Sequence, residues 1–137
     1  MTTVTPFDPK RHHIHVHFYV TGRNGHRHSL DGIVDTGAPK TEFSDEFLTF
    51  AGFVEPHDEE ILLKKGLQTQ KYGKVALPLI EICGQTIEKF EVFTSRFEEG
   101  WGIDALIGLD FFRKFRVTID YSSDHLVTEA LLQSPST

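Results

Sequence analysis

The sequence predicts an all-β fold in a single domain, with one or two short helices. Apolar and polar residues alternate from His13 to Val20, and a period of two marks a half-buried strand. Asn24-Gly25 follows, a pair that favours a two-residue hairpin because both residues tolerate positive φ. A return strand from about His26 to Val34 would complete the hairpin. The 137 residues fit one domain, and no linker divides them.

The middle of the chain continues as short elements separated by turn signals. Ser44 or Asp45 can cap a short helix that runs through Phe50 and is closed by Gly52. A polar hairpin tip at residues 66–71 has little to bury and is expected to be mobile. Three strands, with a turn at Gly84-Gln85 before the last, are expected at Glu60–Leu67, Tyr72–Ile82 and Ile87–Ser95.

The last part of the chain combines a helix and a hairpin. Leu109 to Phe115 has helical spacing, which would turn its three phenylalanines toward the core. Arg116–Tyr121 and Leu126–Leu131 are predicted to form a final hairpin. The chain is therefore divided into an N-terminal extension, a folded domain and a flexible tail, at residues 1–12, 13–132 and 133–137.

Charge and cysteine content restrict the class of protein. The formal net charge is −6 and the sequence has no basic stripe, so no nucleic-acid partner is expected. Cys83 is the only cysteine, which excludes an intramolecular disulfide. Residues 1–10 contain no apolar run like a signal-peptide core, and no stretch approaches the length of a membrane span. We therefore expect a cytoplasmic protein without a membrane partner.

Asp35 is the strongest candidate for a catalytic residue. It follows the apolar residues Gly32-Ile33-Val34, so its carboxylate is expected at the edge of a buried strand. Gly37 lets backbone amides approach that carboxylate closely. A lone carboxylate at a strand end is more often solvated or bonded to a turn. The triplet Asp35-Thr36-Gly37 is therefore only moderately specific by itself.

Several motifs, in the same order, resemble those of the retropepsin-like aspartic proteases. Asp35-Thr36-Gly37-Ala38 is similar to the catalytic signature, and Leu106-Ile107-Gly108 is similar to the second motif of two hydrophobic residues and a glycine. Between them lies a hairpin where the family has its flap. The segments 108–112 and 117–120 resemble the cellular and bacterial branch more than the retroviral one. The resemblance covers Ile14 to Val127 and implies a retropepsin-like acid protease barrel.

The resemblance also implies a homodimeric aspartic endopeptidase that uses no cofactor and no metal. Two aspartates must lie side by side, and the chain has one such motif, so two copies would place Asp35 beside its symmetry mate. Two carboxylates that close cannot both ionise easily, and the pair shares one proton. The ionised member takes a proton from bound water, while the protonated member polarises the scissile carbonyl. The substrate would be a peptide or protein, paired as an added strand.

Further roles follow from the resemblance, residue by residue. Thr36 is expected to hydrogen-bond across the dimer axis, and Gly37 to offer its carbonyl to the substrate backbone. Ala38 stands where pepsin-like relatives often have a hydroxyl, and the missing hydroxyl is expected to move activity toward neutral pH. The other substrate-binding residues are expected around the pocket, at Leu106, Ile107 and Gly108, and in a flap over it that spans residues 66–73, at Gly66 and Leu67.

Departures from the family pattern leave an alternative open. Many retroviral members have an acidic residue after Asp-Thr-Gly-Ala and an arginine after the later glycine, and the two pair. Pro39 and Leu109 stand at those positions here, so neither charge is left buried alone. Pro39 and Lys40 alter the rim that would contact substrate, and the flap has few glycines. The alternative is a retropepsin-like dimerisation or peptide-binding module with little or no proteolytic activity.

The histidines have three interpretations. His13, His15 and His17 share one strand face, and His26 and His28 lie beyond the turn. Imidazoles two residues apart on a strand can chelate zinc. No cysteine pair or helical His-Glu-x-x-His motif accompanies them, so a polar, solvent-facing surface is favoured over a metal site. A pH-sensitive face is the intermediate interpretation, because histidines titrate near neutrality.

Other polar and aromatic residues are assigned structural roles. Trp101, between two glycines, is either a wall of the cleft or a core anchor. Cys83 is expected to be inert packing in an apolar strand. Three aspartates are interpreted as structural rather than catalytic, the last of them as a candidate helix cap: Asp31, Asp104 and Asp110.

Overall fold

The computed structural model describes residues 1–54, 69–98 and 100–131. In this part of the chain, strands dominate and short helices interrupt them. The strands are β1 (Thr2–Pro6), β2 (His15–Thr21), β3 (Arg27–Val34), β4 (Glu42–Ser44), β5 (Thr69–Ile82), β6 (Gln85–Phe97), β7 (Ala105–Ile107), β8 (Phe115–Asp120) and β9 (His125–Ala130). The helices are α1 (Asp45–Phe50) and α2 (Leu109–Phe112). The all-β prediction with short helices is confirmed.

Six strands of the described residues form a closed barrel in the order β2-β3-β7-β4-β6-β5. Strand β5 closes the barrel on β2, where Ile80 lies opposite Val20 in an antiparallel register. Strands β3 and β7 run parallel, with Ile33 beside Leu106. The short strand β4 lies between β7 and β6. This arrangement brings the end of β3, and therefore Asp35, next to the residues that follow β7.

The barrel core confirms the alternation seen in the sequence. Val16, Phe18 and Val20 of β2 are at most 1% exposed, while the residues between them are half-buried or exposed. The ring of Phe18 packs edge-on against Phe43 of β4, with 5.7 Å between ring centroids. Burial of these apolar side chains contributes about 1.5–3 kcal/mol each to folding. The core therefore fixes the register of β2 and β3 on which the position of Asp35 depends.

A separate three-stranded sheet forms from both ends of the chain, in the order β1-β9-β8. Val4 of β1 lies opposite Val127 of β9, and the amide of Ala130 donates to the carbonyl of Met1 at 2.9 Å. Residues 1–12, assigned from the sequence to an N-terminal extension, thus contribute a strand to this sheet. The predicted strand Glu60–Leu67 and the tail at 133–137 lie outside the described residues.

Two element boundaries differ from the sequence prediction. The tight turn between β5 and β6 is formed by Cys83 and Gly84, with φ of 52° and 72°, and not by Gly84-Gln85. Gln85 begins β6 and is buried, where its side-chain amide donates to the carbonyl of Thr128. Cys83 is accordingly a turn residue and not a strand residue, although it is buried as expected. Turn residues with positive φ are typical of such hairpins.

Both helices are short, with six residues in α1 and four in α2. Helix α1 matches its predicted range and is followed by Gly52 at φ 81°, but Ser44 makes no side-chain capping bond. Helix α2 is shorter than the predicted span because Phe115 already belongs to β8. No helix in the described ranges is long and apolar enough to cross a membrane.

Candidate active site

Asp35 follows the last residue of β3 and is held by backbone hydrogen bonds on two sides. The amide of Val34 donates to the carbonyl of Ile14 at 2.9 Å. The amide of Asp35 itself donates to the carbonyl of Ile107 at 2.8 Å. Because β2 and β7 flank β3 in the barrel, these bonds fix the point where the chain leaves the sheet. The carboxylate therefore sits on a rigid strand end and not on a free loop.

The turn after β3 positions the carboxylate of Asp35. The amide of Gly37 donates to Oδ1 of Asp35 at 3.1 Å, and the amide of Ala38 donates to the carbonyl of Asp35 at 3.1 Å. A Cβ on Gly37 would lie 3.3 Å from Oδ1, so glycine allows this close approach. Asp35 is half-buried, whereas Thr36 and Gly37 are exposed. An exposed turn that carries an ordered carboxylate can meet another molecule.

The two hydrophobic residues of the second motif, Leu106 and Ile107, face opposite directions. Leu106 is half-buried and lines the same cavity as Asp35. Ile107, predicted to line the pocket, instead has a side chain with 0% exposure inside the barrel. Successive side chains of a strand point to opposite faces, so Leu106 and Ile107 cannot both face the cavity. Ile107 contributes its carbonyl, which holds Asp35.

Gly108 lies where two loops of the site press against each other. A Cβ at this position would be 2.7 Å from the carbonyl carbon of Lys40 and 2.8 Å from the carbonyl oxygen of Ala38. The adjacent amide of Leu109 donates to that same oxygen of Ala38 at 2.8 Å. Gly108 is buried and lets the backbones of the two loops pack closely against each other.

A buried threonine that the sequence did not single out joins the same two loops. Thr41 is 0% exposed, and its hydroxyl accepts a hydrogen bond from the amide of Gly108 at 3.0 Å. The hydroxyl and the amide of Thr41 both donate to the carboxylate of Asp110, at 2.6 and 3.0 Å. Asp110 is structural, as expected, but Gly108 and not Asp110 precedes helix α2 as its cap.

A cavity of about 590 Å³ opens beside Asp35. Its lining combines apolar side chains with an arginine, two histidines and the carboxylate of Asp35. The described lining residues are Arg11, His13, His15, Ile33, Val34, Asp35, Trp101, Ile103 and Leu106. Of the two interpretations of Trp101, the cleft wall is therefore the one that its position favours. Its indole nitrogen donates to Glu98 at 3.2 Å, and its ring lies 5.6 Å from that of Phe97.

The sequence marks no role for Arg11 and favours a solvent-facing surface for the histidine strand. His13 and His17 are exposed, as that interpretation expects, and His17 hydrogen-bonds Ser29. His15 is instead largely buried and lies 3.2 Å from the carboxylate of Asp31. No group of three metal-ligating side chains occurs in the described ranges of the chain. The sequence does carry one signal for these residues. Because side chains alternate along a strand, His13 and His15 lie on one face, and both line the cavity beside Asp35.

The predicted flap is described only in part. Gly66 and Leu67 lie outside the described residues. Where the hairpin is described, Thr69 of β5 pairs with Phe97 of β6, and the register shifts between Lys71 and Gly73. The flap residues named from the sequence therefore stay predictions.

Comparison with solved structures places the fold. A retropepsin-like aspartic protease from Rickettsia conorii matches with a TM-score of 0.64 at 17% identity, over 93% of this chain and 89% of that chain. The retroviral protease-like domain of Ddi1 from Leishmania major matches with a TM-score of 0.58 at 17% identity, over 93% of this chain and 100% of that one.

A longer enzyme has a similar but weaker likeness. An aspartic proteinase from Irpex lacteus matches with a TM-score of 0.53 at 19% identity, over 95% of this chain and 47% of its own, so this chain spans about half of that enzyme. No family model and no curated protein matches the sequence. From the barrel order and these likenesses together, the chain has the fold of the retropepsin-like aspartic proteases.

Proposed function

We propose that the chain is a homodimeric aspartic endopeptidase whose active site is formed by Asp35 of two copies. The observation that carries this proposal is the setting of the carboxylate. The amide of Asp35 donates a hydrogen bond to the carbonyl of Ile107, and its carboxylate accepts one from the amide of Gly37. The same carboxylate adjoins a cavity that is partly lined by apolar side chains. The solved proteins with this fold include ones described as aspartic proteases, which supports the same chemistry here.

The need for a second copy follows from the number of motifs. The sequence contains one Asp-Thr-Gly, and peptide hydrolysis by carboxylates alone requires an acid and a base. Thr36 and Gly37 are exposed on the single chain, next to the half-buried Asp35. A two-fold axis through this turn would bring the two carboxylates together and cover the exposed turn.

The reaction can be written with the groups of such a pair. The two carboxylates share one proton, because like charges at that distance cannot both be ionised. The ionised member removes a proton from water, whose oxygen bonds to the scissile carbonyl carbon. The protonated member donates its hydrogen bond to the carbonyl oxygen. The C–N bond then breaks, and the departing nitrogen takes a proton from the pair.

The cavity explains how a peptide would be held. Its apolar wall of Ile33, Leu106 and Trp101 suits an uncharged side chain next to the scissile bond. Gly37, which is exposed, leaves the backbone beside Asp35 without a bulky side chain. An extended peptide could pair with exposed backbone there, as in strand addition.

The test is cleavage of a diverse peptide library by the wild type and two variants. Asp35→Asn keeps the size of the side chain but cannot supply the carboxylate, so cleavage should fall by at least about a thousandfold. Asp124→Asn is the matched control: Asp124 lies in the β8–β9 turn at φ 58°, a conformation that asparagine tolerates. Equal cleavage by Asp35→Asn and wild type would show that the activity lies elsewhere.

A wild type that cleaves no peptide would have a different meaning. If the wild type binds peptides and dimerises but cleaves none, the peptide-binding module is the better description. Cleavage per chain should also rise with protein concentration until the dimer is saturated.

A further inference from the structure

We propose that the cavity beside Asp35 binds a carboxylate of the substrate through Arg11 and His13, which selects acidic peptides. The inference rests on the proposed peptidase function and names its substrate class. The carboxylate could belong to a glutamate or aspartate side chain or to the C-terminus of a short peptide. Both sources present the same carboxylate group, and peptides with amidated C-termini distinguish them.

The first observation is the charge of the cavity lining. Arg11, His13 and His15 belong to the lining, while Asp35 is the one carboxylate among the described lining residues. A peptide bound across the cavity would therefore meet an apolar wall and a cationic edge. Arginine and protonated histidine are strong donors to carboxylates. An acidic group on the substrate complements this edge better than a basic or an amide group.

The second observation is that Arg11 keeps donors for another anion. Its side chain is 48% exposed, and Nη1 lies 3.8 Å from Oδ2 of Asp31, which is beyond hydrogen-bond distance. Guanidinium has five N–H donors in a fixed fork. One loose contact with Asp31 leaves the fork able to bind a carboxylate in the cavity.

The backbone of Asp31 is held by Asp104, and Asp31 is not among the described residues that line the cavity. The amide of Asp31 donates to Oδ2 of Asp104 at 3.0 Å, and the amide of Asp104 donates to the carbonyl of Asp31 at 2.8 Å. His15, whose side chain is 12% exposed, lies 3.2 Å from Oδ2 of Asp31. His15 is therefore a positioning residue, because it lies nearer to Asp31 than Arg11 does, at 3.2 against 3.8 Å, and leaves the donors of Arg11 for the substrate.

His13 differs from His15 because it is exposed at the cavity edge. Its ring packs edge-on against His12 at 4.8 Å between centroids. His13 precedes β2 and, like Arg11, is exposed and lines the cavity. Both side chains are therefore open to a carboxylate of the substrate.

The charge of this edge changes with pH. The charged and titratable groups that line the cavity with His13 are Arg11, His15 and Asp35, and the ring of His12 packs against that of His13. Asp31 contacts Arg11 and His15, and its amide bonds Asp104. Glu98, on the segment before β7, accepts a hydrogen bond from the indole nitrogen of Trp101. Histidines in general gain positive charge as the pH falls below neutrality, while a substrate glutamate, with a pKa of about 4.3, stays mostly ionised at about pH 5.5. The preference for acidic peptides should therefore be greatest in mildly acidic solution.

The experiment compares acidic residues with their amides in peptide libraries. Glutamate and glutamine would be varied at each position around the cleaved bond, and cleavage would be counted by mass spectrometry at about pH 5.5 and about pH 8. One library would carry amidated C-termini and the other free carboxylates. A side-chain site gives a preference for glutamate over glutamine in both libraries, whereas a terminal-carboxylate site gives more cleavage in the free-acid library than in the amidated one and no preference for glutamate.

Three variants show which residues are responsible. In the wild type, glutamate should be preferred about fivefold over glutamine at one position, the upper range for a partly exposed charge pair. The double variant of Arg11→Gln and His13→Gln should lose this preference, and Arg11→Gln alone should lose the part that persists at the higher pH. Arg116→Gln, on the exposed face of β8, is the matched control and should keep it. An unchanged preference in the double variant would overturn the proposal.

A capture experiment separates this inference from the proposed activity. Immobilised Asp35→Asn would be incubated with the same libraries, and retained peptides would be counted. Acidic enrichment without cleavage by the wild type would support the carboxylate site and contradict the peptidase. Cleavage by the wild type without acidic enrichment in either experiment would contradict the carboxylate site alone.

Discussion

The carboxylate of Asp110 accepts two hydrogen bonds from Thr41, one from its hydroxyl at 2.6 Å and one from its amide at 3.0 Å. The same hydroxyl accepts a bond from the amide of Gly108 at 3.0 Å. These contacts join the loop that follows Asp35 to the turn that follows β7. They connect the two motifs of the site, which are separated by about seventy residues of sequence.

Replacing Thr41 should test the strength of this connection. Thr41→Val keeps the shape but removes the hydroxyl, so the buried amide of Gly108 loses its acceptor and Asp110 loses a donor. The expected loss in free energy of unfolding is about 2–3 kcal/mol, measured by urea denaturation. Thr41→Ser is the matched control, since it keeps the hydroxyl, and should lose less than half of that. Equal losses in the two variants would mean that packing of the methyl group, and not the bonds, is what matters.

Gly108 should be intolerant of even one added methyl group. Gly108→Ala would place a Cβ 2.7 Å from backbone of Lys40, a contact that requires the loop to move. We expect a loss of about 2–3 kcal/mol of stability, together with loss of any peptidase activity because Ala38 and Asp35 would shift.

Gly73→Ala serves as the comparison for this substitution. At Gly73 the nearest atoms to an added Cβ are those of Thr94, at 3.9 Å, an ordinary van der Waals distance. The melting temperature of this variant should lie within a few degrees of the wild-type value, which corresponds to a change of about 1 kcal/mol or less in the free energy of unfolding. A Gly108→Ala variant as stable as Gly73→Ala would contradict the packing described here.

Cys83 should make stability depend on pH in alkaline solution. Burial raises the pKa of its thiol to about 11, and a hydrogen bond with the side chain of Thr5 opposes this shift. Because the folded pKa is raised, the stabilisation is complete below the unfolded value near 9.0 and is lost as the pH rises through about 11. The loss should be on the order of 2 kcal/mol.

The measurement is denaturation of the wild type and Cys83→Ala across that range. Lysine and tyrosine groups titrate there too, so the quantity of interest is the difference between the two proteins. The wild type should lose more stability than the variant on going from about pH 8.5 to about pH 11. Parallel curves for the two proteins would contradict burial as the cause.

Much of the fold could be predicted from local patterns. The alternation in β2 predicted the strands of the first hairpin correctly, because one face is buried and the other is not. The two-residue turn predicted at Asn24-Gly25 is wrong: residues 22–26 connect Thr21 to its partner Arg27, and of the pair only Gly25 has positive φ. Strand β4 was missed because it has three residues, too few to show a period, and all three are buried. The extent of α2 was overestimated because Phe115 fits a helical spacing, yet pairs with Ala130 in β8–β9.

The site was predictable in part, for a related reason. Asp35 and the second motif carry local signals, and the barrel brings them together as expected. Whether Leu106 or Ile107 faces the cavity depends on the register of β7 against β3, which a three-residue strand does not reveal. Arg11 and Thr41 enter the site through contacts with residues far away in the sequence, so no local pattern marks them.

The central claim is that each active site needs Asp35 from two chains, and mixing wild type with Asp35→Asn tests it most directly. The total concentration is fixed where activity per wild-type chain no longer rises, sedimentation confirms that both proteins dimerise equally, and subunits are allowed to exchange. If mixed dimers are inactive, an equal mixture should retain about one quarter of the wild-type activity, because random pairing follows the square of the fraction. Retention of about one half, expected if each Asp35 acts independently, or of about three quarters, expected if one Asp35 activates a whole dimer, would contradict the account.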